Sequence, residues 1–351
     1  MRFAVHADCC LWFARSAAVL ALLGGSGCEW IALGVHAAAY HVTAAGDAGN
    51  VVVNGRLAYV SLAQPGLEIV DAATGHTLKT MPPPAGSESI DDLAVTDGLL
   101  FVLDARPPGH LSVYSLADPA TPVLRTSPIE VPVGPFSGVA AAGGHVIVSG
   151  GTSELTLRTY DQDGRLGTDV AKADFGRGQP DVLIAPEGDR AFVSTHFGGP
   201  SFGLTTVHVT GAPPSLIKGG TMDLETIGFT AGGAKPANFP IETALAGDIL
   251  LVAYVRGLAL VDVSDLDRPR MLSELRLNVE PVNVDVRDGT AAVVGSSPKP
   301  MLALVDVRNP AAPRLIRSVP LPEGSYATGV AIATTHVVVA AGARGALVSP
   351  R

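Results

Sequence analysis

The chain contains a repeat whose period lies between 43 and 53 residues, and this repeat restricts the possible folds more than any other property of the sequence. Each unit has an apolar strand, a Gly or Asp turn, a second apolar strand, a variable loop and a third strand. Equivalent positions of the third strands follow one another after 44, 46, 48, 53, 44 and 43 residues: Asp71, Ser115, Asp161, Val209, Asp262, Asp306 and Ser349. This regular spacing favours seven similar units over two unrelated domains.

The first strands of the units are each followed directly by an apolar partner, and the turns between them are of hairpin size. Such pairs are antiparallel neighbours. These strands begin at Asn50, Asp92, Gly138, Asp181, Glu242, Asn283 and Gly329. A composition of 47% hydrophobic and 16% charged residues, with 40 Gly and 27 Pro, is typical of many short strands joined by turns. The sequence therefore predicts an all-β fold, a seven-bladed β-propeller of four-stranded antiparallel blades.

The two ends of the repeat region predict how the ring closes. Four repeats show a recognisable fourth strand, but the seventh ends after its third strand, at Arg351. That would leave an unpaired outer edge in the last blade. The segment 40–45 precedes the first blade and has no other partner. We therefore expect N-terminal strand pairing into the last blade.

The first 39 residues have the features of a signal peptide. Arg2 and Arg15 precede an apolar stretch, 16–23, that is too short to span a bilayer. Cleavage after Ala39, a lipid on Cys28 and an uncleaved anchor are the three alternatives. We predict a leader over 1–39 and a propeller over 40–351 in an extracytoplasmic location, which is periplasmic, secreted or at the cell surface. All three cysteines lie in the leader, so the propeller contains no disulfide.

The charge of the chain argues against nucleic acid as a partner. The formal net charge is −9, and the leader contributes nothing to it because Arg2 and Arg15 balance Asp8 and Glu29. An acidic surface with no run of Lys or Arg repels a phosphate backbone. Contact with a membrane is expected only through a lipid on Cys28.

Several repeats resemble a known family. The phrases GLALVDVSDLDRPRMLSEL and MLALVDVRNPAAPRLIRSVPL look like the repeats of LVIVD-type bacterial propellers, and GLEIVDAATGHTLKTM resembles the related surface-layer propellers. The likeness covers residues 42–351 and is strongest in repeats one, two, five and six. It implies the propeller fold and an extracytoplasmic location. The family is functionally heterogeneous, so the resemblance assigns no catalytic residue.

The residues that open the first strands form one candidate site. First strands line the central channel of a propeller, so their side-chain oxygens would form a ring near its mouth. Such a ring could hold Ca²⁺ or another divalent cation, and the candidate ligands are Asp92, Asp181, Glu242 and Asn283. The alternative is that these side chains cap the loop entering each strand.

A second candidate site follows from the longest interval between repeats. The loop within it and the middle loop of the preceding unit should emerge on one face, and binding residues concentrate on such loops. A ligand pocket is predicted there, formed by His196, Phe197, Phe202, Phe229, Lys235, Asn238 and Phe239. His196 could serve as a ligand or base. In the alternative, the phenylalanines plug the channel.

Two short motifs are interpreted as ordinary loops. Residues 199–203 match the GxSxG string of serine hydrolases but lack the helix which that motif requires. Residues 161–164 resemble the start of a calcium loop without its later acidic ligands, so an Asp-stabilised turn is expected.

Together these features favour a binding or scaffold module for a protein, peptide or glycan, with no identifiable catalysis and no cofactor. The alternative is a metal-dependent hydrolase of lactonase type with a cation at the channel mouth.

Overall fold

The computed structural model describes residues 41–42, 47–63, 66–134, 137–150, 154–175, 179–196, 203–210, 213–223, 242–254 and 257–351. All of them belong to one compact unit, Ala38–Arg351. The predicted leader, 1–39, lies outside the described residues.

The described strands form seven antiparallel sheets. The chain begins with a two-residue strand, β1 (His41–Val42). Blade 1 contains β2 (Ala48–Asn54), β3 (Leu57–Leu62), β4 (Leu67–Asp71) and β5 (His76–Met81). Blade 2 contains β6 (Asp92–Thr96), β7 (Leu99–Asp104), β8 (Gly109–Ser115) and an interrupted outer strand, β9 (Val123–Leu124) and β10 (Ile129–Val131). Blade 3 contains β11 (Val139–Ala142), β12 (His145–Gly150), β13 (Glu154–Tyr160) and β14 (Leu166–Asp174).

The remaining blades repeat this order. Blade 4 contains β15 (Gln179–Ile184), β16 (Arg190–His196), β17 (Gly203–Thr210) and β18 (Ser215–Asp223). Blade 5 contains β19 (Thr243–Ala246), β20 (Ile249–Tyr254), β21 (Gly257–Asp262) and β22 (Arg270–Arg276). Blade 6 contains β23 (Glu280–Arg287), β24 (Thr290–Ser297), β25 (Met301–Asp306) and β26 (Arg314–Pro320). Blade 7 contains β27 (Gly329–Ile332), β28 (His336–Ala340) and β29 (Ala346–Pro350).

Tight hairpins set the register of the inner strands. In blade 2 only Asp97 and Gly98 separate the closing pair Thr96 and Leu99. Both turn residues have positive φ, at 53° and 72°. Two consecutive left-handed residues match the right-handed twist of the flanking strands, and Asp-Gly supplies them at little cost. The sequence thus fixes which side chains face each neighbouring blade.

Apolar side chains fill every interface between neighbouring blades. Seven buried clusters are present, one for each of the seven pairs, including blades 7 and 1. In the cluster between blades 4 and 5, Phe192 is fully buried against Leu250 and Val252. Alternate residues of a strand point to opposite faces, so each inner strand serves two interfaces. The seven-bladed prediction is confirmed.

Hydrogen bonds between blades supplement this packing. Tyr59 Oη donates to the Pro119 carbonyl of the next blade at 2.8 Å, and Ser273 Oγ donates to the Pro310 carbonyl at 2.6 Å. Thr206 Oγ1 donates to the Leu266 carbonyl in the same way. All three acceptors lie in turns between third and fourth strands, so each of these turns is fixed by a hydroxyl from the preceding blade.

The N-terminal strand completes the last blade as predicted. His41 is opposite Val348, and Val42 is opposite Leu347. Nearby, the Ala48 N–H donates to the Gly342 carbonyl at 2.9 Å. The Thr328 hydroxyl donates to the Ala48 carbonyl at 2.9 Å. The first and last blades are thereby joined through strand pairing and through hydrogen bonds to the Ala48 backbone.

The outer strands are more numerous than the sequence indicated. Fourth strands are present in blades 1 to 6, and those of blades 3 and 4, β14 and β18, each have nine residues. Across the described ranges, no helix is long and apolar enough to cross a membrane.

Candidate functional site at the channel mouth

The seven inner strands surround a central cavity of about 590 Å³. An inner strand pairs with the second strand of its blade on one edge only, so its other edge faces the channel. Backbone N–H and C=O groups on that edge need partners other than a β-strand. Four of the predicted ring residues line this cavity: Asn50, Asp92, Glu242 and Asn283. The structure therefore brings these four side chains to one cavity.

Asp92 joins three blades at the mouth. One carboxylate oxygen accepts the N–H of Leu93 at 2.8 Å, and the other accepts the N–H of Val139 in blade 3 at 2.7 Å. The side-chain amide of Asn50, in blade 1, also donates to Asp92. Asp92 thus supplies the acceptor that the inner edge of β11 lacks, as the capping interpretation predicts.

Asn50 has a similar local role in blade 1. Its side-chain oxygen accepts the N–H of Val51 at 2.6 Å, and its own N–H donates to Ser61 Oγ at 2.7 Å. A Cβ atom on Gly329, the opening residue of blade 7, would lie 3.2 Å from the Asn50 side-chain oxygen. A glycine at this position therefore leaves room for the Asn50 side chain.

Asp285, a second acid that joins neighbouring blades, is not among the site residues predicted from the sequence. It lies in the middle of β23, and its oxygens accept the N–H of Val286 at 2.7 Å and of Ile332, in blade 7, at 2.6 Å. Loss of hydration inside the channel raises the pKa of the Asp285 carboxyl, although these two N–H donors and the nearby Arg287 oppose the rise. One sequence signal was available: Asp285 stands where the other first strands have Val, Leu or Ala.

A metal at the mouth remains a prediction. Within the described part of the chain, no three His, Cys, Asp or Glu residues lie close enough together to hold an ion. The side chain of Asp181, one of the predicted ligands, lies outside that part. Asp92 already accepts N–H donors at both oxygens.

The predicted ligand pocket falls mostly outside the described residues. Phe197, Phe202, Phe229, Lys235, Asn238 and Phe239 all belong to 197–202 or 224–241, and of His196 only the backbone is described.

The strands that flank these two segments are described, and their ends lie at the same end of blade 4. Gly203 pairs with Asp223 on one side and with Thr195 on the other. His196 pairs with Gln179, two residues before Asp181. The chain therefore leaves blade 4 for both segments at the end of the sheet where Asp181 opens the inner strand.

Comparison with known proteins gives one matching repeat and a fold. Residues 45–73 match the LVIVD repeat family model. No curated protein matches the sequence. Among solved structures, the chain is similar to one described as "Structure of U3-55K", with 12% identity, 87% of this chain and 96% of that chain covered, and a TM-score of 0.61. As 1216 solved chains match, the architecture is too widely shared to select a function.

Proposed function

We propose that this LVIVD-repeat β-propeller is an exported, non-catalytic binding module that recognises a protein, peptide or glycan at the mouth face of blades 4 and 5. The proposal rests on the register of blade 4, in which Gly203 pairs with both Thr195 and Asp223. In this register, segments 197–202 and 224–241 both begin at the same end of the blade 4 sheet. Two long connections at one end of a rigid sheet are a common way to build a recognition surface.

The composition of the two segments supports recognition. They contain four phenylalanines together with Lys235 and Asn238. Aromatic side chains supply large contact areas with few rotatable bonds, and such residues dominate the binding energy of many interfaces. A lysine and an amide add directional contacts to acidic or hydroxyl groups of a ligand.

The role of Asp92 also favours binding over catalysis. A general base needs a carboxylate that can reach a substrate proton. Asp92 is instead held by backbone N–H groups from two blades. The polar groups at this part of the mouth therefore stabilise the ring on which the recognition segments are carried.

Alanine substitution tests the proposed surface. Phe197→Ala with Phe239→Ala should abolish binding of the labelled protein to glycan arrays and displayed peptide libraries, because these side chains would form the contact. Phe175→Ala is the matched control, since Phe175 belongs to neither segment and its ring centroid lies 4.8 Å from Lys218 Nζ. Unchanged binding by the double variant would refute the proposal. A large fall in its unfolding temperature would instead support the channel-plug alternative.

Export is tested by the mass and the tryptophan fluorescence of the protein recovered from cells. Both tryptophans, Trp12 and Trp30, lie in the predicted leader. Cleavage after Ala39 therefore gives a product without tryptophan fluorescence, and a product that retains Trp30 contradicts that cleavage site.

One observation favours a second function, a metal-dependent hydrolase of lactonase type: Asp92, Glu242 and Asn283 line one cavity. Metal analysis of the purified protein distinguishes the two proposals. Stoichiometric Ca²⁺ or Zn²⁺ that is lost in Asp181→Ala and Glu242→Ala would favour the enzyme.

A further inference from the structure

The central cavity contains a carboxylate, that of Asp285, whose surroundings suit a positively charged ligand. Asp285 lies two residues beyond Asn283 of the opening ring, which places it about 6.6 Å deeper along the strand. The equivalent positions of the other inner strands are all apolar, and all line the same cavity: Val52, Ala94, Ala140, Leu183, Ala244 and Ala331. Asp285 is thus an acid set into an apolar section of the wall.

No cation from the described part of the protein is in contact with this carboxylate. Its two oxygens accept one backbone N–H each, and a carboxylate oxygen can accept two hydrogen bonds. The guanidinium of Arg287 makes its contacts with other groups: it donates to the Ile332 carbonyl at 3.4 Å and lies 3.8 Å from Asp288. A sheltered carboxylate without a direct ion pair is energetically costly, and a bound cation would reduce that cost.

The size and chemistry of the cavity restrict what that cation can be. A volume of about 590 Å³ lies in the range of small-molecule sites. The charged residues among those described along its wall are Asp92, Glu242, Asp285 and Arg287, which give a negative balance. Mostly apolar side chains surround Asp285, and a divalent metal ion would need several oxygen ligands in their place.

We propose that the channel binds a small organic monocation, an alkylammonium or quaternary ammonium group with a short apolar body, whose charge pairs with Asp285. The apolar body lies against the ring of Val, Ala and Leu side chains at the same depth. This site is separate from the proposed mouth surface, and it depends neither on segments 197–202 and 224–241 nor on export.

The probe is n-pentylammonium, with the neutral isostere 1-pentanol as the ligand control. Binding is followed through the ¹³C signal of the Asp285 carboxyl in the full chain, assigned by its connection to Val286, and through ligand-observed NMR. We expect Asp285→Asn to weaken pentylammonium binding at least about tenfold, because it removes a charged hydrogen bond. Asp163→Asn is the control variant: Asp163 is exposed, is not part of the cavity wall and lies in the turn at 161–164 of blade 3.

The outcomes separate a ligand site from a purely structural acid. The proposal is supported if pentylammonium moves the Asp285 signal, pentanol does not, and Asp163→Asn binds within about twofold of the unchanged protein. Equal binding by Asp285→Asn, or by pentanol, overturns it. If Asp285→Asn fails to fold, the titration of the unchanged protein with pentylammonium is the test. An Asp285 ¹³C signal that does not shift during that titration overturns the proposal.

Discussion

Tyr59 offers a sharp test of the packing between blades 1 and 2. Its side chain is fully buried, and its hydroxyl donates to the Pro119 carbonyl at 2.8 Å. Burial raises the pKa of Tyr59 from 10.0 to about 12. The folded protein therefore holds this proton more tightly than the unfolded chain does.

The sign and size of the pH effect follow from this difference. Below pH 10 both states keep the proton, and the stabilising contribution is complete. Above pH 10 the unfolded chain loses the proton first, so stability falls, by about 1.4 kcal/mol at pH 11 and about 2.3 kcal/mol at pH 12. Tyr59→Phe lacks this dependence, but it loses one hydrogen bond, which costs about 1 kcal/mol at pH 8.

Urea unfolding of both proteins at pH 8 and pH 11 is the assay. The unchanged protein should be the more stable of the two at pH 8, and the order should reverse by pH 11. The comparison cancels the titration of all other groups, since they are common to both proteins. A constant stability difference across this range would contradict this prediction and show that Tyr59 is not desolvated in the interface.

Two further substitutions test individual contacts. Phe192→Ala should lower the free energy of unfolding by about 3–5 kcal/mol in urea titration, because it opens a cavity between blades 4 and 5, and a loss below about 1 kcal/mol would contradict the packing described. Gly143→Ala should cost clearly more in thermal unfolding than Gly144→Ala. Both residues have positive φ, but a Cβ at Gly143 would lie 2.3 Å from the Glu187 carbonyl oxygen, whereas a Cβ at Gly144 would approach no atom closer than 3.7 Å. Equal losses of thermal stability in the two variants would show that the turns of blades 3 and 4 are not in contact.

The inner part of each blade was predictable because its physical signals are local. Hairpin turns such as Asp97-Gly98 and continuous apolar strands fix both the pairing and the face of each residue. The turn at 161–164 also followed from local chemistry: an Asp161 oxygen accepts the N–H groups of Asp163 and Arg165, each at 2.9 Å.

The outer strands of blades 3 and 4 were harder to recognise. The sequences of β14, LGTDVAKAD, and β18, SLIKGGTMD, mix glycine and charged residues with few apolar ones. An outermost strand buries little of its surface, so hydrophobic alternation is weak there, and pairing with the third strand defines it instead.

The role of Asp285 could not be predicted from its own repeat. Its partner is the N–H of Ile332, which lies in the next blade and 47 residues away in the chain. A contact of this kind depends on the closed ring, which places the inner edges of neighbouring strands side by side around the channel. The sequence showed only that an acid replaced an apolar residue in one strand.

Closure of the ring is tested most directly by a disulfide between its two ends. In a chain with Cys9, Cys10 and Cys28 changed to Ser, His41→Cys and Val348→Cys place two thiols at directly opposite positions of β1 and β29. Opposite residues of antiparallel strands lie about 4.5–5.5 Å apart at Cα, within the range a disulfide spans. We predict rapid oxidation to a cross-linked monomer. We also predict no such bond for His41→Cys with Ile217→Cys, because Ile217 is exposed on the outer strand of blade 4, three blades away around the ring. A 41–348 pair that oxidises no faster than this control, or that gives only dimers, would show that the N-terminal strand does not complete the last blade.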